Sequence, residues 1–287
     1  MSTGTIPKDK LPRADCTMDA DGRLTVELGG LREAREPVLC LVLRPKKGEE
    51  ETTARTVPLE PAETAPDAPG APGRWRAELP AEPPLEEGRW DVFVLNGPDA
   101  ARQRVVPGLR DLRALAPGER TPAADPLAVR LPYATKDGYF AIRAWLRPAH
   151  AEAGDLKVAA RGLTVRGRLL GARPGLGGTA VFRLRGSGGT TVKAPLHDEG
   201  DGTFSFTAEY AELPPGQDPA KPAVWDVFVK PSVKSRRVRV ARLLDDVADR
   251  KPVFVYPATT VEGATYRPYY TVDNDLALEV AAPPSAG

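Results

Sequence analysis

Arginine is the residue with the most chemistry to offer in this sequence. Arg102 and Arg104 stand at alternate positions of one segment, and Arg236, Arg237 and Arg239 crowd a later one, with Lys230 and Lys234 close by. On a strand, successive side chains point to opposite faces, so Arg237 and Arg239 share one face while Val238 and Val240 take the other. A guanidinium can hold phosphate through two parallel hydrogen bonds, so such a face suits a phosphate-rich polymer or an anionic membrane surface. The plain alternative is a solvated outer face, or an edge strand protected by charge. Tyrosine supplies a second set: Tyr266, Tyr269 and Tyr270 beside Arg267, with Tyr256 upstream and Tyr133, Tyr139 and Trp145 as earlier counterparts. Aromatic rings can stack on sugar rings, and they serve equally in β cores and subunit contacts.

Other chemistries find less support. Asp19-Ala-Asp21 and Asp273-Asn-Asp275 have the letters of a metal-holding Asp-x-Asp, but neither follows an α/β nucleotide-binding pattern, and both read as turns. His197-Asp-Glu-Gly-Asp201-Gly202 is acidic but lacks the twelve-residue order of an EF-hand loop. The glycines at 175–178 and 186–189 fit no phosphate-loop fingerprint and read as hairpin connections. With 2 His and 2 Cys, the chain is poor in zinc ligands and thiol nucleophiles, and Cys16 and Cys40 read as two buried thiols. No catalytic set, metal site or cofactor is expected. Lys+Arg (40) and Asp+Glu (39) nearly cancel, which argues against a nucleic-acid binder with a broad basic footprint.

The elements that position these residues are short. Gly (27) and Pro (31) interrupt the chain too often for long helices. Self-similarity then organises it. Trp90-Asp-Val-Phe-Val94 returns 135 residues later as Trp225-Asp-Val-Phe-Val229, and the same spacing carries Arg102-x-Arg104 onto Arg237-x-Arg239 and Leu109 onto Leu244. Leu24-Thr-Val26 matches Leu163-Thr-Val165, and Gly73-Arg-Trp75-Arg-Ala77 matches Gly202-Thr-Phe204-Ser-Phe206. Pro132-Tyr-Ala-Thr135 is paired with Tyr256-Pro-Ala-Thr259, Gly138 with Gly263, and Asp155–Val158 with Asp275–Val280. Alternation buries Trp90 and Val92 in one copy and Trp225 and Val227 in the other. Many short strands with Gly, Asn and Asp turns indicate an all-β chain of two tandem immunoglobulin-like antiparallel β-sandwiches. Their expected bounds are 14–160 and 161–281, with tails at 1–13 and 282–287 and a loop at 58–73. Small helical turns are expected around Leu109–Leu115 and Leu243–Ala248.

This order of motifs (a Trp-Asp-Val-Phe-Val strand, an Arg-rich strand, Tyr-x-Thr…Gly and a closing strand) resembles the paired C-terminal immunoglobulin-like modules of wall-teichoic-acid-type glycosyltransferases. The resemblance covers roughly residues 14–281. It implies an accessory module that holds such an enzyme in an oligomer, a trimer by analogy, and helps position its polymer. The chain begins at Met and leaves no room for a nucleotide-sugar domain, so the expectation is a non-catalytic assembly module, self-associating or docking on a separate glycosyltransferase. Two alternatives stand beside it: a carbohydrate- or polyanion-binding module, and an enzyme with an unfamiliar site between the copies. No secretory signal or apolar run long enough to span a membrane is visible. The expected location is the cytoplasm, with the inner face of the membrane as the alternative.

Overall fold

The computed structural model describes residues 6–31, 34–62, 74–97, 100–116, 125–216, 218 and 221–282. Most of the expected 58–73 loop and nearly all of the expected C-terminal tail lie outside them. The chain divides into two units, Met1–Pro122 with Ala128–Leu146, and Ala123–Leu127 with Arg147–Gly287. Both are built almost entirely of strands.

Unit 1 contains β1 (Arg13–Met18), β2 (Leu24–Gly29), β3 (Val38–Leu43), β4 (Ala54–Pro58), β5 (Glu60–Pro61), β6 (Trp75–Leu79), β7 (Gly88–Leu95), β8 (Gln103–Arg104), β9 (Val106–Asp111), β10 (Leu127–Ala134) and β11 (Phe140–Arg147). One sheet runs β5-β6-β2-β1-β9 and the other β10-β11-β7-β3-β4, with β8 on β7. Unit 2 contains β12 (His150–Val158), β13 (Gly162–Leu170), β14 (Thr179–Leu184), β15 (Thr191–Pro195), β16 (His197–Gly200), β17 (Thr203–Glu209), β18 (Ala223–Lys230), β19 (Val238–Ala241), β20 (Thr259–Val261), β21 (Ala264–Tyr270) and β22 (Leu276–Ala281). Its layers follow the same plan, β16-β17-β13-β12 and β15-β14-β18-β22-β21-β20, joined through β19.

Among the described residues the pairing is antiparallel with one exception in each unit. β1 runs parallel to β9, and β12 parallel to β19, because the returning strand comes back beside the first one as the sandwich closes. In unit 2 this strand bonds both layers, β12 through Ala151↔Val240 and β18 through Phe228↔Arg239. In unit 1 it breaks at buried Val105 into β8, on one sheet, and β9, on the other.

Alternation explains the cores. Trp90, Val92 and Val94 are buried on β7, and Trp225, Val227 and Val229 on β18. In unit 2 one apolar cluster joins Leu163, Val165, Phe204 and Phe206 of one layer to Phe182 and Trp225 of the other. Phe182 meets Phe206 edge-on across the layers at 5.9 Å. Each such side chain contributes about 1.5–3 kcal/mol by leaving water. Cys16 on β1 and Cys40 on β3 are buried free thiols in different sheets. Burial pushes the Cys16 thiol up to about 12 and raises Cys40 as well.

Several sequence expectations need correction. The division between units falls at Leu146/Arg147, not at 160, because the strand expected to close repeat 1 is the C-terminal half of β12 and pairs with β13. Asp155–Val158 is therefore no counterpart of Asp275–Val280; β11 is, since Ile142 pairs with Trp90 as Leu278 pairs with Trp225. The true partner of the Thr135–Tyr139 turn is Thr271–Asp275. In both, the first threonine donates its backbone N–H to the last residue's carbonyl at 2.8 Å, and its hydroxyl oxygen accepts that residue's N–H. The fourth position has φ 73° at Gly138 and φ 60° at Asn274, a left-handed backbone that both residue types tolerate. The Gly-to-Asn exchange hid the match.

Residues 6–13 are not simply a tail, since Lys8–Lys10 form a 3-10 turn and the Lys8 ammonium lies 5.2 Å from the Tyr139 ring centroid. The expected helical turn at 109–115 is a 3-10 turn at Arg113–Leu115 only. Leu243–Ala248 is an irregular segment held by side chains.

Candidate functional site

The repeated pentapeptide builds the same polar station on each unit. Its Trp and Val residues face the core, so its Asp and Phe face the opposite side of the strand. In unit 1, Arg44, one residue past β3, grips Asp91 through two hydrogen bonds of 2.6 and 3.1 Å. Arg104, paired across from Phe93, approaches the same carboxylate at 3.2 Å, and its guanidinium lies 4.6 Å from the Phe93 ring centroid. In unit 2, Arg185, one residue past β14, bonds Asp226 at 2.5 Å. Arg239, across from Phe228, bonds it at 2.8 Å and lies 5.0 Å from the Phe228 ring centroid. Arg239 has a second acid, Asp275, at 2.9 Å.

The two stations correspond residue for residue in their pairings: Arg44, Asp91, Phe93 and Arg104 against Arg185, Asp226, Phe228 and Arg239. Burial alone would raise the Asp91 carboxyl, but the hydrogen bond and charge of Arg44, with those of Arg104, hold it below the usual carboxylate range. Chemically, each station is a clamp of two guanidiniums on one carboxylate that cross-links three strands, with a second acid only in unit 2.

Ion pairs occupy part of the arginine face of these strands. Arg102 pairs with Glu51 at 2.6 Å, and Arg104 and Arg239 are spent on their aspartates. Arg236 and Arg237 are exposed and make no ion pair among the described residues; Arg237 lies 5.3 Å from the Phe228 ring centroid. The tyrosine set divides by alternation along β21. Tyr266 and Tyr270 are buried, with Tyr266 stacked on Tyr210 at 4.4 Å and Tyr270 beside Phe254. Neither can meet a sugar, and burial raises both hydroxyl pKa values. Arg267 and Tyr269 take the outer face, where Arg267 bonds Glu279 at 2.7 Å. The Asp19–Gly22 segment is a turn, with Asp19 accepting the Arg23 N–H at 2.8 Å.

Three features escaped the sequence reading. Leu43-Arg44 and Leu184-Arg185 are a repeat at a spacing of 141, which a search at fixed spacing does not see. An acid on the first strand of each unit pins the returning segment. Asp15 accepts the Leu109 N–H at 2.8 Å, while Glu152 accepts the N–H groups of Leu243 and Leu244 at 2.8 and 3.0 Å and lies 2.6 Å from the ring of buried His150. The third feature belongs to unit 2. The fully buried Arg250 pairs with Asp245, donates to the Val247 carbonyl at 2.7 Å, and donates its backbone N–H to the side chain of buried Asn274 at 3.2 Å.

No helix among the described residues is long and apolar enough to cross a membrane. No protein-family model matches the chain, and no curated protein matches it. Among solved structures, the 217–571 fragment of Staphylococcus aureus TarS is similar at 14% identity and a TM-score of 0.31, over 73% of this chain and 57% of that one. A longer S. aureus TarS structure is similar at 15% identity and a TM-score of 0.29, over 68% of this chain and 35% of that one. A tetra-tandem repeat from the extending region of a large adhesion protein follows at 9% identity and a TM-score of 0.20. The chain thus spans little more than half, and about a third, of the two TarS chains it is similar to.

Proposed function

We propose that this chain is a non-catalytic assembly module, whose sheet edges join copies of the chain in support of cell-wall glycopolymer synthesis. The carrying observation is that each unit leaves an apolar side chain outward at a sheet margin. Leu109 on the edge strand β9 is 80% exposed, and Val255, on the segment leading into the edge strand β20, is 77% exposed, with Val253 beside it. Edge strands with outward apolar residues are templates for pairing with another chain, and a soluble protein normally blunts them with charge. The stations support the same reading, because their ion pairs tie neighbouring strands together and stiffen the sandwich. The link to glycopolymer synthesis, and to a trimer or a transferase partner, comes from the motif resemblance to the paired modules of wall-teichoic-acid-type enzymes.

Light scattering at tens of micromolar tests the proposal. The expected result is a mass of more than one subunit that falls to one subunit in Leu109→Ser or Val255→Ser. Both sites are exposed, so folding stability should change by no more than about 0.5 kcal/mol. A monomer at every concentration would overturn it.

A further inference from the structure

The two stations agree, but the loops at one end of each unit do not. In unit 2 the β13–β14 loop, residues 171–178, is fastened to the β18–β19 loop, residues 231–237. The Gly175 N–H donates to the Pro231 carbonyl at 2.9 Å, and the Val233 N–H donates to the Leu176 carbonyl at 3.2 Å. The Ser232 and Ser235 hydroxyls are 2.7 Å apart and brace the second loop. Gly177 has φ 70°, and a Cβ there would meet Val233 Cγ2 at 2.4 Å, so close seating of the loops needs this glycine. The joined loops carry Leu176, 93% exposed, and Val233, 64% exposed. Arg173, Lys234, Arg236 and Arg237 are exposed on the same loops, with half-buried Lys230 at their base. None of these five cations makes an ion pair among the described residues, and neither loop contains an acid.

Unit 1 provides an internal control. Its equivalent loops, residues 30–37 and 96–102, are also fastened, by the Arg35 N–H donating to the Asn96 carbonyl at 3.1 Å. In sequence they hold Arg32, Arg35 and Arg102 against Glu33, Glu36 and Asp99, so their charges cancel. Their leucine, Leu31, is buried. The same architecture is therefore neutral in one copy, and basic with an apolar tip in the other.

We infer that the fastened loops of unit 2 dock the chain on an anionic lipid bilayer, with Leu176 and Val233 entering the headgroup boundary and the cations facing lipid phosphates. Charge complementarity selects an anionic partner, and the exposed leucine and valine select a bilayer over a soluble polyanion, which offers them no apolar phase. Asp198, Glu199 and Asp201 lie on the neighbouring β16–β17 hairpin, whose Gly202 carbonyl accepts the Leu169 N–H at the foot of the first loop. Repulsion from the lipid keeps this acidic hairpin off the surface and so tilts the docked unit.

Flotation of the full chain with phosphatidylcholine vesicles, with and without phosphatidylglycerol, tests the inference. Binding is expected only to the phosphatidylglycerol vesicles, and it should weaken in high salt. Lys234→Ala with Arg236→Ala should reduce it on the order of thirtyfold, at about fivefold per cation. Leu176→Ser should reduce it on the order of tenfold. Arg35→Ala in the neutral loops of unit 1 should change nothing. Absence of binding to the anionic vesicles overturns the inference. So does binding that Leu176→Ser and Val233→Ser leave intact while soluble polyphosphate competes fully, which would make the loops a site for a soluble polyanion.

Discussion

Units 1 and 2 are copies that have kept one set of side chains and changed another. Both keep the buried Trp, the Arg-Asp-Arg clamp beside a Phe, the acid that pins the returning segment, and the threonine-capped turn. They differ where strands give way to loops. Unit 2 buries Arg250 with Asp245 and Asn274, and it exposes Leu176 and Val233 between cations. What survives in both copies is what a sandwich needs to close: one aromatic filling the core, and one carboxylate replacing water for the arginines around it. What differs is under no such demand, and there the activity of each copy is to be sought.

This contrast can be broken experimentally. The largest effect is expected at the shared tryptophans: Trp90→Ala and Trp225→Ala should each cost about 3–5 kcal/mol. Amide exchange should rise in β2, β3 and β7 for the first variant, and in β13, β14 and β18 for the second. Equal loss of protection in both units from either variant would show that the copies do not fold as separate bodies.

Arg250→Met comes next, at about 3 kcal/mol, because it leaves Asp245 as a buried charge without that partner. Urea unfolding should show the loss in unit 2 alone.

The shared clamps should differ in degree. Asp91→Ala takes the acid from Arg44 and Arg104, and Asp226→Ala takes it from Arg185 and one of two from Arg239, at about 1–3 kcal/mol each. Asp226→Ala should cost less, because Arg239 keeps Asp275. Equal losses would mean that this second acid contributes nothing.

The smallest effect is a pH dependence at Asp91. Its carboxyl titrates lower in the folded chain than the ~3.9 of an unfolded aspartate, so its contribution is complete above about pH 4 and is lost as the pH falls through the folded value. Asp91→Asn should therefore flatten the acid limb of the stability curve below about pH 4, as read by circular dichroism.

The strands could be read from the sequence wherever β-branched and aromatic residues alternate, as in β7, β13, β17 and β18. β1 escaped because its buried positions are Ala14, Cys16 and Met18, which fit a pleated face but do not announce one. Without β1 the boundary between the units shifts, since β12, its counterpart, then reads as a closing strand. The arginines were found but their partners were not. A cross-strand carboxylate such as Asp91 is distant in sequence from Arg44, and only the register joins them. The tyrosines follow the packing alternative in part: Tyr266 and Tyr270 are four residues apart, an even spacing that puts both on the inner face. The fastened loops were half visible, as a basic segment, while the outward Leu176 lies in a glycine run that carries no periodicity.

The two native cysteines lie on separate layers beneath the surface, with thiols that hold their protons at neutral pH. Aqueous maleimide should pass them by. A Leu176→Cys variant would then carry a single reactive handle at the tip of the joined loops, so an environment-sensitive dye placed there could register the apex leaving water without any further mutation to silence a background signal.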